Sequence, residues 1–219
     1  MTHNTAKKRS HTGIISTILV SLLLSAPHAL SKERGHHHDI NKIMGNITVH
    51  DGEQLGVLKS VNGSIYINNN ATVEEVKTVN GSIKIDDNVT MKSASTVNGS
   101  IRGGTNLQIH GGVATVNGEI ILQSGTRLDQ AETVNGDIEL TTTQVGKNLS
   151  TVNGSITLTD NSSVLGDIIF EEDPSHFGRS RPTLSIDSSS TVSGTIHLYQ
   201  EVTLKIDDSA SVGEIIRHH

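Results

Sequence analysis

A single pentapeptide dominates the chain. Val61-Asn62-Gly63-Ser64-Ile65 returns as Val79-Asn80-Gly81-Ser82-Ile83 and Val97-Asn98-Gly99-Ser100-Ile101. It returns again as Val116-Asn117-Gly118-Glu119-Ile120, Val134-Asn135-Gly136-Asp137-Ile138 and Val152-Asn153-Gly154-Ser155-Ile156. The spacings between first residues are 18, 18, 19, 18 and 18. One period upstream, Ile43-Met44-Gly45-Asn46-Ile47 keeps the pattern without its Asn, and Val192-Ser193-Gly194-Thr195-Ile196 carries it downstream. A fixed period of this length marks a repeat architecture.

The apolar residues inside one period specify which architecture. Ile65 and Ile67, Ile83 and Ile85, Ile120 and Leu122, Ile138 and Leu140, and Ile156 and Leu158 are each separated by one residue. That is strand alternation. A second cluster follows at Ala71 and Val73, Val89 and Met91, and Leu107 and Ile109. A third falls at Val76, Ala94, Ala131 and Leu149. Three short inward segments per 18 residues describe one triangular coil of a single-stranded parallel β-helix, with one strand given to each of three sheets. The expected class is therefore all-β, a solenoid spanning residues 43–216. Apolar residues at the motif Val and at six and twelve residues after it also suit a left-handed coil. The irregular third cluster and the 19-residue coil favour the right-handed form. An Asn-Gly hairpin meander needs a second turn signal of equal strength in each period, and none is evident.

Stacking is an energetic requirement. Five or six buried aliphatics give roughly 1.5–3 kcal/mol each, while ordering 18 residues costs roughly 1–2 kcal/mol per residue of backbone. One coil alone fails, so each must lean on its neighbours. The composition agrees. Aromatics are 2% of the chain, so the core must be built from small branched side chains. The column Asn62, Asn80, Asn98, Asn117, Asn135 and Asn153 is expected to form an amide ladder at the strand spacing of about 4.8 Å. Gly45, Gly63, Gly81, Gly99, Gly118, Gly136, Gly154 and Gly194 are expected at corners with φ > 0, where a side chain is excluded. On this view Asn117→Ala costs more than Asn153→Ala, which has fewer regular coils around it.

The flanks carry different information. Lys7, Lys8 and Arg9 precede an eleven-residue apolar run, Ile14 to Leu24, and then Ala29 and Ser31. This reads as a secretory signal peptide over residues 1–31, cleaved before Lys32. The run is short of the roughly 20 residues of a membrane span, so no span is expected after cleavage. Removing it leaves 14 basic against 23 acidic residues. That balance argues against a nucleic-acid partner. Residues 32–42 read as a polar leader and 217–219 as a C-terminal tail. The absence of cysteine excludes disulfides and thiol catalysis.

The reiterated Thr-Val-Asn-Gly-Ser-Ile units behind a signal peptide resemble a bacterial adhesin-like family of β-helical repeat proteins. The resemblance covers nearly all of the chain after residue 42. It implies an exported binding or scaffold role in the periplasm, at the cell surface or in the medium, with a protein or glycan partner. It implies no catalytic residue, because the shared motif is a corner motif.

Chemistry-bearing residues are few. The insertion 171–182 breaks the repeat and mixes Glu171, Glu172, Asp173 and His176 with Arg179 and Arg181, which makes it the candidate recognition loop. The outward column Thr48, Tyr66, Lys84, Arg102, Ile121, Glu139 and Thr157 brings Lys84 beside Arg102. The neighbouring column brings Glu119 beside Asp137, an arrangement that a polysaccharide-modifying enzyme would use as paired carboxylates. The solvated-face reading is preferred, and no cofactor is expected. No defined metal site is expected either: His36, His37 and His38 offer at most weak capture of Zn²⁺ or Ni²⁺. His50, His110 and His197 read as isolated.

Overall fold

In the computed structural model, residues 38–173 and 181–219 are described. The expected signal segment 1–31 and its cleavage point lie outside them. The described chain is an all-β solenoid of parallel strands without α-helix. It opens with β1 (His38–Met44), so residues 38–42, expected in a leader, belong to the first strand. The next coils each join a three-residue strand to one of nine or ten residues. These are β2 (Ile47–Val49) with β3 (Gln54–Asn62), β4 (Ile65–Ile67) with β5 (Thr72–Asn80), and β6 (Ile83–Ile85) with β7 (Thr90–Asn98). The series continues as β8 (Ile101–Gly103) with β9 (Gln108–Asn117), and β10 (Ile120–Leu122) with β11 (Arg127–Asn135).

Thereafter the long strand divides. β12 (Ile138–Thr141) is followed by β13 (Gln144–Val145) and β14 (Leu149–Asn153), and β15 (Ile156–Thr159) by β16 (Ser163–Val164) and β17 (Ile168–Phe170). β18 (Thr183–Ile186), β19 (Thr191–Val192) and β20 (Ile196–Leu198) form the next coil, and β21 (Thr203–Ile206), β22 (Ser211–Val212) and β23 (Ile215–Arg217) the last.

Three faces are present, but only two hydrogen-bonded sheets. The short strands stack as a nine-stranded sheet, and the second and third faces share one of 14 strands. In the early coils the strand passes through the bend unbroken, so pairing continues around the corner. The 19-residue coil shows how this is tolerated. Met91 pairs with Ile109, yet Ala94 pairs with Val113, so the extra residue is taken up as a bulge at Gly111–Gly112.

The core is aliphatic columns, one residue over the next: Ile47, Ile65, Ile83, Ile101, Ile120, Ile138, Ile156 and Leu184 on the first face, all buried. One expected core position is wrong. The motif Val lies on the outward side of its strand in the regular coils: Ile43 is 75% and Val61 42% exposed, Val79, Val97, Val116 and Val134 are half-buried, and Val152 alone of the column is buried. The residue before it faces inward instead, as Ser60, Thr78, Thr96, Thr115, Thr133 and Thr151. Strand parity requires this, since Val76 is inside and Thr78 follows it by two. A buried hydroxyl needs a partner. Thr78 donates to the Gly63 carbonyl (2.8 Å), Thr96 to Gly81 (2.8 Å) and Thr115 to Gly99 (2.9 Å).

The corner glycines are also explained differently from the expectation. Gly63, Gly81, Gly99, Gly118, Gly154 and Gly194 do not have positive φ; Gly45 does, at 95°, and Gly136 lies at 157°, near extended. The requirement is close approach. A Cβ on Gly118 would lie 2.5 Å from the Gly99 carbonyl carbon, and the same overlap recurs down the column. Positive φ occurs at a second corner, at Gly52, Asn70, Asn88, Asn106, Gly125 and Thr142. This is the per-period turn that the sequence had not revealed, and it joins stacked parallel coils rather than hairpins. At the corresponding corner of a later coil, hydrogen bonding by Ser190, with further donation from Asp160 and Ser189, lowers the Asp187 carboxyl to about 2 against burial.

Val192-Ser193-Gly194-Thr195-Ile196 does not continue the Asn-Gly column. It stacks on Val164-Leu165-Gly166-Asp167-Ile168 at the corner between the second and third faces. This explains why the earlier of these segments begins only 12 residues after Val152.

Candidate functional site

The third outward face carries the features with recognition potential. Along it run the motif Val column and, beside it, the Asn column. The ladder is formed: Asn80 Nδ2 donates to Asn62 Oδ1 (2.9 Å), Asn98 to Asn80 (2.8 Å), Asn117 to Asn98 (2.9 Å), Asn135 to Asn117 (2.9 Å) and Asn153 to Asn135 (3.1 Å). It is not buried. Asn62, Asn80, Asn98 and Asn117 are exposed, and Asn135 and Asn153 half-buried. The exposed amides of Asn62, Asn80, Asn98 and Asn117 therefore face solvent along the ladder.

The insertion leaves the rod where this ladder stops. It lies between β17 and β18, so Ile156 pairs with Leu184 and that coil is 28 residues long. Phe170 is paired with Thr151, which places 171–182 at the corner held elsewhere by Asn-Gly. Both ends are tied down. Glu171 N–H donates to the Thr151 carbonyl (2.9 Å), and Gln200 Nε2 donates to the carbonyls of Glu171 (2.7 Å) and Val152. On the return, Thr203 N–H donates to the Pro182 carbonyl (2.9 Å), and Arg181 pairs with Glu201 at 2.6 Å. Thr183 N–H meets Ser155 Oγ at 3.2 Å, where the corner column resumes. Of the expected loop residues, Glu171, Glu172, Asp173 and Arg181 are at these ends. His176 and Arg179 lie outside the described residues.

Glu132 was not anticipated. It faces outward on β11, with Oε1 accepting from Gln130 Nε2 (3.0 Å) and Oε2 buried without a partner among the described residues. Burial, and secondarily the nearby Glu171, raise its pKa. Nothing in the local sequence singles it out, because its burial depends on residues distant along the chain.

His197 is not isolated. It lies on β20, with Tyr199 two residues on, and His218 follows β23 in the adjoining coil. Tyr199 and His218 stack with centroids 4.1 Å apart and a 7° interplanar angle. His197 Nδ1 is 3.2 Å from His218 Nε2. The 217–219 segment, expected as a free tail, is thus engaged: Arg217 is in β23, and His218 N–H donates to the Leu198 carbonyl (2.8 Å). Of the other histidines, His36 and His37 lie outside the described residues, and His38 is the exposed first residue of β1.

The first outward face follows expectation in register but not in chemistry. Thr48, Tyr66, Lys84, Arg102, Ile121, Glu139 and Thr157 align as one column. The carboxylates beside it do not converge. Glu119 pairs back to Arg102 (2.7 Å), while Asp137 accepts forward from Ser155 N–H (2.7 Å). Lys84 pairs with Asp86 at 3.0 Å. Glu119 and Asp137 thus tie neighbouring coils, Lys84 and Asp86 pair within one, and exposed ion pairs of this kind contribute little stability.

No protein-family model, curated protein or solved structure matches the chain.

Proposed function

We propose that the chain is an exported, non-catalytic binding or scaffold module of the cell envelope, adhesin-like in character, with a protein or glycan partner. The observation that supports this is the placement of the insertion 171–182. Its two ends are anchored on a stiff rod, at the end of an exposed amide ladder. Insertions in repeat proteins map to loops on one face, often the binding face, and a rigid scaffold reduces the ordering cost of binding.

The test is an array of glycans and matrix proteins probed with the purified protein. A second variant replaces 171–182 with an Asn-Gly-Ser corner. Specific capture by the parent, reduced at least tenfold in the variant with its strand spectrum intact, is the expected result. Equal capture by both overturns the role of the insertion. New reducing ends or unsaturated products from pectin, alginate or peptidoglycan fragments would instead favour a polysaccharide-modifying enzyme. Export is tested separately by N-terminal sequencing, with a start near Lys32 expected.

One observation favours a second reading, self-assembly by stacking of coils. The inward residues Leu204, Ile206, Val212 and Ile215 of the last described coil are only partly buried, whereas their counterparts deeper in the rod are fully so. Sedimentation that depends on concentration would support it, and a concentration-independent monomer would reject it.

A further inference from the structure

We propose that His197 and His218 form a divalent transition-metal site, of the kind that binds Zn²⁺ or Ni²⁺, on the third outward face beside the insertion. The two imidazoles come from adjoining coils: His197 lies within β20, and His218 directly follows β23, its parallel neighbour. Their facing nitrogens, His197 Nδ1 and His218 Nε2, are 3.2 Å apart, and the ring centroids 5.4 Å. Two zinc–nitrogen bonds of about 2.0–2.1 Å at a tetrahedral angle place the nitrogens about 3.3 Å apart. The pair therefore already has the bite of two ligands on one ion. In the metal-free chain one nitrogen donates its proton to the other. An ion takes the place of that shared proton, which passes through solvent to the other nitrogen of the donor ring, so both rings stay neutral and both facing nitrogens act as lone-pair donors.

Preorganisation is what this pair offers an ion. Stacking of Tyr199 on His218 fixes one ring, and the hydrogen bond from His218 N–H to Leu198 fixes its backbone. Ligands held by packing and neighbouring hydrogen bonds lose less freedom on binding. Among the described residues no group of three His, Asp or Glu could hold an ion. The coordination is therefore two protein nitrogens completed by water, an open site that a ligand on the third face could join. Imidazole donors suit Zn²⁺, Ni²⁺ and Cu²⁺ over Mg²⁺ or Ca²⁺.

The test is a Zn²⁺ titration of the purified protein followed by the ring nitrogen resonances of each histidine, with Mg²⁺ as control. The resonances of His197 and His218 are expected to move together and saturably with Zn²⁺ and not with Mg²⁺. His218→Gln is expected to weaken the response of His197 at least tenfold, and His197→Gln that of His218. Replacing His36, His37 and His38 by Gln is expected to leave both responses in place. A parent in which either ring stays unmoved overturns the proposal, whether or not the variants fold. So does a His197 response that survives His218→Gln.

Discussion

From Ile47 to Asn153 the chain repeats one way of turning from the third face to the first. From Ile168 onward it uses another. In the earlier region a buried Thr hydroxyl bonds the corner carbonyl of the preceding coil, a bare glycine lies against that carbonyl, and an Asn amide ties the corner on the outside. In the later region Phe170 and Leu198 occupy the inward position in place of Thr, and the Asn-Gly pair is gone. The same triangular coil is thus closed either by a hydrogen-bonded small-residue corner or by apolar filling. The first demands near-identity from coil to coil. The second leaves the corner free to vary, and the insertion sits at that corner. Thr151, at the junction, makes no such bond, as Ser60 makes none in the first of these coils: neither hydroxyl has a partner among the described residues.

The contrast is broken most severely at Phe170. It is the bulkiest fully buried side chain, on the coil where apolar filling takes over. Phe170→Ala is expected to cost about 3–5 kcal/mol, measured by chemical denaturation. A loss under about 1 kcal/mol would mean that the later region is not held by its filling. On the regular side the counterpart is Gly118→Val. The overlap is with backbone that cannot swing aside, and the expected cost is about 3 kcal/mol, at the upper end for overpacking. Gly146→Ala is the control. Its Cβ would meet its nearest neighbour at 3.7 Å, an ordinary contact, and the change should stay within about 0.5 kcal/mol.

These corners also divide what sequence could reveal from what it could not. The repeat period, the inward Ile columns, the amide ladder and the outward column from Thr48 to Thr157 were legible, because each is a residue type recurring at one spacing. The orientation of the motif Val was misread, because apolarity alone was taken as burial. Parity from Val76 to Thr78 carried the correct answer. The second corner was missed because Asn70, Asn88 and Asn106 repeat over only three coils, with Gly52 before them and Gly125 and Thr142 after, so the signal is shorter than that of the Asn-Gly corner. The pairing of His197 with His218 was hidden because strand stacking sets it across a gap of 21 residues.

The ladder offers a finer comparison. Burial at Asn153 and exposure at Asn117 reverse the order that coil position alone predicts. Asn153→Ala should cost about 1–2 kcal/mol, because a half-buried amide partner is left short. Asn117→Ala should cost about 0.5–1 kcal/mol, because water replaces the lost bond. Denaturation midpoints of the two variants, taken together, decide the order. A larger loss at Asn117 would restore the central-coil view.

The smallest expected effect is at Glu132, and it is diagnosed by its sign with pH. Burial first, and Glu171 second, raise the folded pKa above the ordinary value of 4.5. A carboxyl raised in this way favours folding in its protonated form. That contribution is complete below pH 4.5 and is lost as pH rises through the folded value. At pH 7 the half-buried charge is a constant cost. Glu132→Gln keeps the shape and the acceptor for Gln130 and removes the charge. The variant should therefore be more stable than the parent at pH 7, by about 0.5 kcal/mol, the scale of ordinary surface changes. At pH 4, where the parent is protonated too, the two should coincide. Asp187 provides the opposite sign: its pKa is lowered to about 2, so Asp187→Asn should destabilise at pH 7, and the loss should persist until pH falls through about 2. Urea midpoints of both variants at pH 4 and 7 separate the two cases. A Glu132→Gln gain that is equal at the two pH values would show that ionisation of Glu132 is not what the outer face of β11 resists.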